Sequence, residues 1–516
     1  MLNLRHNFLT LRSLADGRAL FLERLLFGYA AVALLGVVFL SPLKVAGLTL
    51  VSIILFLTAW RPAWIFSLWL VYLPLEPFIL KWVPDELYVY ARYGSEVLLY
   101  AILLSAVIHR LWRPSPLSFK EFPFGPTFLG LVALVGVSAL VNLVEPTEAL
   151  LGARMIFRFL LCYFVVILLK PSALWQSITV KLLAGVVILQ VFLGLSQAVI
   201  GAPLDQFLLP SERKTFGAYQ LTGGTTQFWD PGERVFGTLG RYDQLGVFLA
   251  LASLLLVGAL YSGHWPPKNK VWGYASLLLL LLTLTLTYSR SAWFGFLIGF
   301  LFVALVIKRD KLVLLGATLF SVAILAYAGF NGLIANRLTE TASQTVVERF
   351  FESMSAERFR GEYYGLGRVY WMYHSLVTVF PAAPLFGFGP GNYGGGAVAA
   401  TGQADVYDAL GLPFGVYGTE GYIDNNWLSL LGELGLVGLG AYLWWYVGLG
   451  RLMVRTARDS SDSQTRALAT GTAGIFVAVA VNASLATMLE VRTLAPYLWV
   501  LAALVVLRAQ EEDLLA

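Results

Sequence analysis

The chain has 516 residues, 58% apolar and only 13% charged, with 36 Lys and Arg against 31 Asp and Glu, a net charge of +5 and a mean hydropathy of +0.73. An ordinary soluble domain carries about a quarter charged and about half apolar residues, so this chain lacks the charge to cover a water-soluble globule. That excludes a soluble enzyme, a disordered chain and a nucleic-acid-binding domain, and points to one polytopic membrane body over residues 1–516.

Apolar runs of about 17–25 residues, the length that crosses a bilayer, number about fourteen. They begin near Leu25, Val45, Pro62, Glu96, Gly125, Arg154, Ile178, Gln244, Val271, Ser291, Lys311, Trp427, Ala469 and Thr493. The fold class is therefore all-α, a polytopic integral membrane protein of 12–14 transmembrane helices. The first run is too deep and too long for a cleaved signal peptide. The single cysteine, Cys162, lies inside an apolar run and reads as a small buried hydrophobe; no internal disulfide is possible.

Lys and Arg alternate between the loops. Arg5, Arg12, Arg18 and Arg24, then Arg61, then Arg110, Arg113 and Lys120, then Lys170 fall on one face. Lys268 and Lys270, Lys308 to Lys311, and Arg451, Arg455, Arg458 and Arg466 continue it. The positive-inside rule puts that face, and both termini, in the cytoplasm. The opposite face receives two long loops, 202–243 and 330–425, and loops of such length inside a compact body are usually functional. The second is expected to hold short amphipathic helices at Thr345–Phe359 and Gly367–Phe380.

Ionisable groups at or within the bilayer are costly and mark function. Three clusters meet on the non-cytoplasmic face: Glu233 to Asp243, Tyr288 to Ser291, and Tyr422 to Trp427. Guanidinium forks suit phosphate oxygens, so Arg234, Arg241 and Arg290 fit a lipid pyrophosphate headgroup. Asp424 can take a proton from an attacking hydroxyl, and Asn425 can orient that carboxylate or a sugar hydroxyl. The alternative is structural: the arginines snorkel to lipid phosphates and Asp424 caps the helix that starts near Trp427. Arg154 and Arg158 share a helix face and either line the same cavity or anchor their span. Arg368 contacts substrate or lipid, whereas Glu433 and Asn482 read as interhelical hydrogen-bonding residues.

No H-E-x-x-H, paired Cys or His, Walker loop, G-x-S-x-G or Asp-x-Asp occurs, so neither a metal nor a cofactor is expected. Arginines with one carboxylate suit displacement of a phosphate leaving group by a hydroxyl. A transporter or flippase for a polar or lipid-linked solute is the competing class; it would gather its polar groups at the bilayer midplane between repeats.

Four segments, in order, resemble the O-antigen ligase and O-antigen polymerase family of membrane glycosyltransferases. They are Arg234-Val235-Phe236-Gly237-Thr238-Leu239-Gly240; Thr287-Tyr288-Ser289-Arg290-Ser291-Ala292-Trp293; Gly367-Arg368 with the later run Pro384 to Tyr393; and Asp424-Asn425-Asn426-Trp427-Leu428 with Glu433 to Gly438. The resemblance implies that Arg234 and Arg290 hold the pyrophosphate of an undecaprenyl-pyrophosphate-linked glycan donor at the periplasmic face of the bacterial inner membrane. It implies a glycan or lipid A–core hydroxyl as acceptor and membrane lipids as surroundings. The ligase branch has a histidine where this chain has Asp424, which turns the resemblance toward polymerase-type members. Asp424 is then the base of an inverting displacement, with Tyr393, Tyr417 and Tyr422 covering or stacking on sugars.

Overall fold

The computed structural model describes residues 42–112, 122–210, 215–216, 219–220, 232–263, 267–330 and 356–514. The expected span from Leu25 lies outside these residues, as does most of the expected helix Thr345–Phe359. The membrane body is built from α1 (Pro42–Trp60), α2 (Pro62–Tyr72), α3 (Asp85–Leu111), α4 (Gly125–Val141), α5 (Pro146–Phe157), α6 (Leu161–Leu169), α7 (Ala173–Ile200), α8 (Tyr242–Tyr261), α9 (Pro267–Leu286), α10 (Arg290–Leu301) and α11 (Lys311–Phe330). The long loop contributes α12 (Ala356–Tyr364) and α13 (Arg368–His374), and α14 (Asn426–Asp459), α15 (Ser463–Ala483) and α16 (Ala495–Glu511) complete the bundle. The strands among the described residues are a two-residue pair, Thr215–Phe216 against Tyr219–Gln220. This is an all-α polytopic membrane protein.

Among the described residues, eight helices are long and apolar enough to cross a bilayer: α1, α3, α7, α8, α9, α10 with its π-helical continuation to Ile307, α14 and α15. Helices α5 and α6 make a ninth candidate, bent by 59°. The full count of fourteen is not reached among the described residues, because an apolar run need not be one straight helix. The run from Pro62 ends its first helix at Tyr72, just ahead of Pro74, which lacks the N–H to continue the ladder. The run from Arg154 breaks between Phe157 and Leu161.

The centre of the bundle is packed through small residues, which let backbones approach where no water drives association. Gly258 of α8 faces the backbone of Gly471 of α15, and Gly299 of α10 faces the Gly474 carbonyl. Around them the aromatic rings of Trp445, Tyr446, Phe476 and Trp499 form one buried cluster, and Cys162 is fully buried in the same core.

Helix α14 is interrupted at Gly435, whose φ of 65° and ψ of −168° suit glycine alone. The carbonyls and N–H groups freed by the break are taken up by the loop. Phe388 N donates to Gly432 O at 2.8 Å, Gly389 N donates to Glu433 O at 2.9 Å, and Leu436 N donates to Pro384 O at 2.8 Å. The Pro384 to Gly391 run thus docks the loop onto the bundle through backbone pairing.

Residues 356–425 are a folded cap with their own core. Trp371 lies edge-on to Tyr393 and Tyr407, which stack on each other with centroids 5.5 Å apart. The Tyr407 hydroxyl accepts from Gly394 N at 3.0 Å and donates to Gly421 O at 2.6 Å, pinning two distant turns together.

Candidate active site

Asp424 sits where the cap meets the bundle. Ile423 before it is fully buried, and its N–H donates to Gly394 O at 3.2 Å. Asn425 after it is the N-cap of α14: its Oδ1 accepts from Leu428 N at 3.1 Å and its Nδ2 donates to Ser484 O at 2.9 Å. Held between these anchors, Asp424 takes a φ of 53°, the left-handed region that costs an L-residue free energy and often marks function. Capping therefore belongs to Asn425, not Asp424. Both polar atoms of Asn425 bond backbone, which gives this residue a structural role beside Asp424.

The Asp424 carboxylate, 20% exposed, pairs with Arg368 at 3.1 Å. Arg368 opens α13 and is positioned by Glu362, whose Oε2 accepts the Arg368 N–H at 3.0 Å and whose other oxygen pairs with Arg358. The Arg368 Nε is buried and lacks a hydrogen-bond partner within the described protein. Burial raises the Asp424 pKa above the ordinary carboxylate value, and Arg368 and then Arg241 partly oppose that rise. For Arg368 itself burial acts downward, but the Asp424 and Glu362 carboxylates more than offset it.

The preceding cluster is held by α7. Gln197 and Gln190 lie two turns apart on one face. Gln197 Oε1 accepts from Phe236 N and Gly237 N at 3.1 and 2.8 Å, while Gln190 Oε1 accepts from Thr238 N at 3.0 Å. Gln190 Nε2 also donates to Thr238 Oγ1 at 2.6 Å, and Thr238 in turn donates to Pro74 O. This clamp sets the course of the Arg234 to Gly240 segment. Arg234 lies over the Tyr242 ring at 4.5 Å, a cation–π contact that orients its guanidinium. Arg241 pairs with Asp243 through its Nε at 3.0 Å, and that carboxylate raises the Arg241 pKa.

Arg290 is the first residue of α10, after Tyr288 at a φ of 53° and the N-cap Ser289. Its turn packs on the start of α8: a Cβ at Gly246 would lie 3.1 Å from the Ser289 Cβ and 2.9 Å from the Ala292 Cβ. Val235 N donates to Leu286 O at 3.4 Å, tying the Arg234 segment to the end of α9 just ahead of this turn. The Arg234 segment and the Arg290 turn thus both pack at the start of α8, where Arg241 acts on Asp424.

The remaining candidates divide. Tyr422 is half-buried, with its phenol pKa raised by burial and then by the Asp424 carboxylate, so it stays protonated beside the site. Tyr417 is 62% exposed. Tyr393 is fully buried, with its hydroxyl 3.0 Å from Ser375 Oγ, so it has no face to offer a sugar; it is a core residue of the cap, a correction to its expected role. Arg158 does not join the Asp424 cluster but lines a neighbouring cavity with Arg154 and Arg241. Asn482 donates to Ala478 O within its own helix at 2.9 Å rather than to a neighbouring one. Sequence reasoning missed the Gln190 and Gln197 clamp, for which two glutamines at helical spacing in an apolar helix were the available signal. It also missed the pairing of Arg368 with Asp424, which joins residues far apart in the chain. Among the described residues no group of three or more His, Cys, Asp and Glu side chains could hold a metal ion.

Residues 275–443 match the family model Wzy_C, described as O-antigen ligase. The matched stretch contains Arg290, Arg368, Asp424 and the helix break at Gly435, whereas Arg234 and Arg241 precede it. No curated protein matches the chain. The match covers about a third of the chain and, with the ordered motifs and the polytopic helical fold, supports a relation to the O-antigen ligase and polymerase family of glycosyltransferase-like membrane enzymes.

Proposed function

We propose that the chain transfers a glycan from an undecaprenyl-pyrophosphate carrier to an acceptor hydroxyl at the periplasmic face of the bacterial inner membrane, with both termini in the cytoplasm. Asp424 takes the proton of the acceptor hydroxyl as its oxygen attacks the anomeric carbon. The bond from that carbon to the pyrophosphate oxygen breaks on the opposite side, and the leaving group departs with the electron pair. The anomeric centre inverts, and no metal is needed. Arg234 and Arg290 neutralise the charge that grows on the departing pyrophosphate, an electrostatic contribution that favours the transition state over the ground state.

The observation that carries this reading is the Asp424 carboxylate itself. It is held at a strained φ of 53°, paired to Arg368 at 3.1 Å, and it lies beneath a folded cap on the face where the arginines gather. A base works best with a pKa near the operating pH, and burial moves this carboxylate in that direction. A carboxylate in place of the ligase histidine favours a second lipid-linked glycan over lipid A–core as acceptor, which is polymerase chemistry. Polar groups gathered at one end of the bundle speak against a transporter, which needs its site near the midplane.

The test is incubation of the purified protein with an undecaprenyl-pyrophosphate oligosaccharide. Ladders formed without lipid A mean polymerase, a shift of added lipid A–core means ligase, and the polymerase outcome is expected. Unchanged product from both Arg290→Ala and Asp424→Ala would refute the mechanism.

A further inference from the structure

Beside the Asp424 cluster lies a separate cavity of about 350 Å³, in the size range of small-ligand sites. Six cationic side chains line it: Lys81, Arg92, Arg154, Arg158, Arg241 and Arg492. Glu76 is the only acidic residue in the lining among the described residues; Glu96 pairs with Arg154 and Arg158, Asp243 pairs with Arg241, and the Glu490 carboxylate acts on Arg158. Among the described residues, six positive groups face four carboxylates, an excess of two positive charges.

The site is built, not incidental. Arg154 and Arg158 lie one turn apart and both pair with Glu96 of α3, Arg158 at 3.4 Å. Arg158 Nη2 donates to Glu490 O at 2.7 Å, and its ring neighbour Phe159 stacks 4.4 Å beneath the guanidinium. Arg492 Nη1 bonds Glu76 at 2.8 Å, Arg92 O at 2.7 Å and Ser95 Oγ at 3.1 Å. Yet Arg158, only 9% exposed, keeps a buried Nε with no partner within the described protein. An unmet donor in a desolvated site costs free energy that a bound acceptor would recover. The Arg92 guanidinium enters no ion pair among the described residues.

The rest of the lining is not phosphate-like. Tyr93, Pro77, Pro210 and Met155 add apolar and aromatic surface, which suits the face of a sugar ring. Arg241 lines the cavity and also acts on Asp424, so an occupant of the cavity lies next to the reacting centre. We propose that this cavity is a subsite for an acidic sugar of the glycan substrate, its carboxylate or sugar-borne phosphate held by Arg92 and Arg158 and its ring lying on the apolar lining. The inference rests on the glycosyl-transfer reading for the identity of the glycan but not for the anion site.

The test uses full-length protein in detergent and three probes. They are a tetrasaccharide of alternating glucuronate and N-acetylglucosamine, the same tetrasaccharide with its carboxyls reduced to alcohols, and geranyl pyrophosphate. Binding of the acidic tetrasaccharide at least tenfold tighter than the reduced one is expected, the scale of one charge-assisted hydrogen bond. Arg92→Gln should erase that preference and Arg92→Lys should retain most of it, while geranyl pyrophosphate binding stays as in the wild type. Arg92 makes no ion pair among the described residues, so Arg92→Gln is expected to leave the fold intact, and a thermal unfolding curve checks this. Equal binding of the two tetrasaccharides overturns the proposal. So does selective loss of geranyl pyrophosphate binding in Arg92→Gln, which would make the cavity the donor phosphate site. Geranyl pyrophosphate binding untouched by Arg290→Ala would instead undermine the donor assignment, leaving the acidic-sugar result to stand alone.

Discussion

Helix α5 carries Arg154 and ends on its C-cap Arg158, and its seat on the cap depends on one small residue. A Cβ at Gly152 would lie 2.2 Å from Gly391 N and 2.3 Å from Pro390 C, where ordinary contact begins at 3.4 Å. The opposing atoms are backbone of the turn that pairs with the break in α14, so neither side can yield by rotating a side chain. Gly152→Ala must therefore push α5 and the turn apart by about 1 Å in an interior that is otherwise close-packed. Alanine gains about 1 kcal/mol over glycine in a helix, and overpacking costs about 1–3 kcal/mol. With backbone on the other side the cost sits at the upper end, leaving a net loss of about 2 kcal/mol. Gly130→Ala in α4 is the control, because nothing lies within 4 Å of its would-be Cβ; it should be neutral or stabilising by up to about 1 kcal/mol. Thermal unfolding in one detergent, followed by tryptophan fluorescence, reads the two variants against wild type. Glycan transfer should fall further in Gly152→Ala than stability alone explains, since a shift of about 1 Å can cost on the order of a hundredfold in rate. A Gly152→Ala protein as stable as Gly130→Ala would refute the argument.

Arg368→Gln removes the charge that opposes the raised Asp424 pKa, so the acidic limb of kcat/KM should move to higher pH, and Arg368→Lys should hold it near wild type. The sign follows from the proposed role of Asp424 as a base in its carboxylate form, since the acid form gains population when the neighbouring cation is lost. Asn425→Ala should destabilise by about 0.5–2 kcal/mol through loss of the α14 cap, visible as a lower unfolding temperature, with the pH profile of transfer unmoved. Glu76→Gln leaves Arg492 without its buried partner and should cost about 3–5 kcal/mol, read as loss of folded protein on size-exclusion chromatography.

Which residues could do chemistry was partly legible in the sequence. Arg234, Arg290 and Asp424 stand out because a charge beside an apolar run is rare and because their spacing matches a family pattern. Lys81, Arg92 and Arg492 carried a signal of the same kind, cations on the face opposite the arginine-rich loops, but each is isolated in the chain. Only the folded chain brings them to one cavity, since Arg492 and Glu76 are 416 positions apart. Asn425 and Asp424 were easy to confuse: both residue types cap helices, and a shift of one position decides which side chain turns back to the helix and which is left for the site.

Sequence alone determined the class of molecule, because apolar runs and Lys and Arg asymmetry are local properties that the bilayer reads directly. It also determined the ordered motifs, whose glycines and arginines are each constrained by their immediate neighbours. Tertiary structure decided how the runs become helices, since bends such as that between α5 and α6 and the break at Gly435 depend on what packs against them. It likewise decided that Tyr393 is core, that Arg368 pairs with Asp424, and that six dispersed cations share one cavity. Those outcomes depend on which distant backbone groups meet the freed carbonyls and buried charges, and no local pattern encodes that pairing.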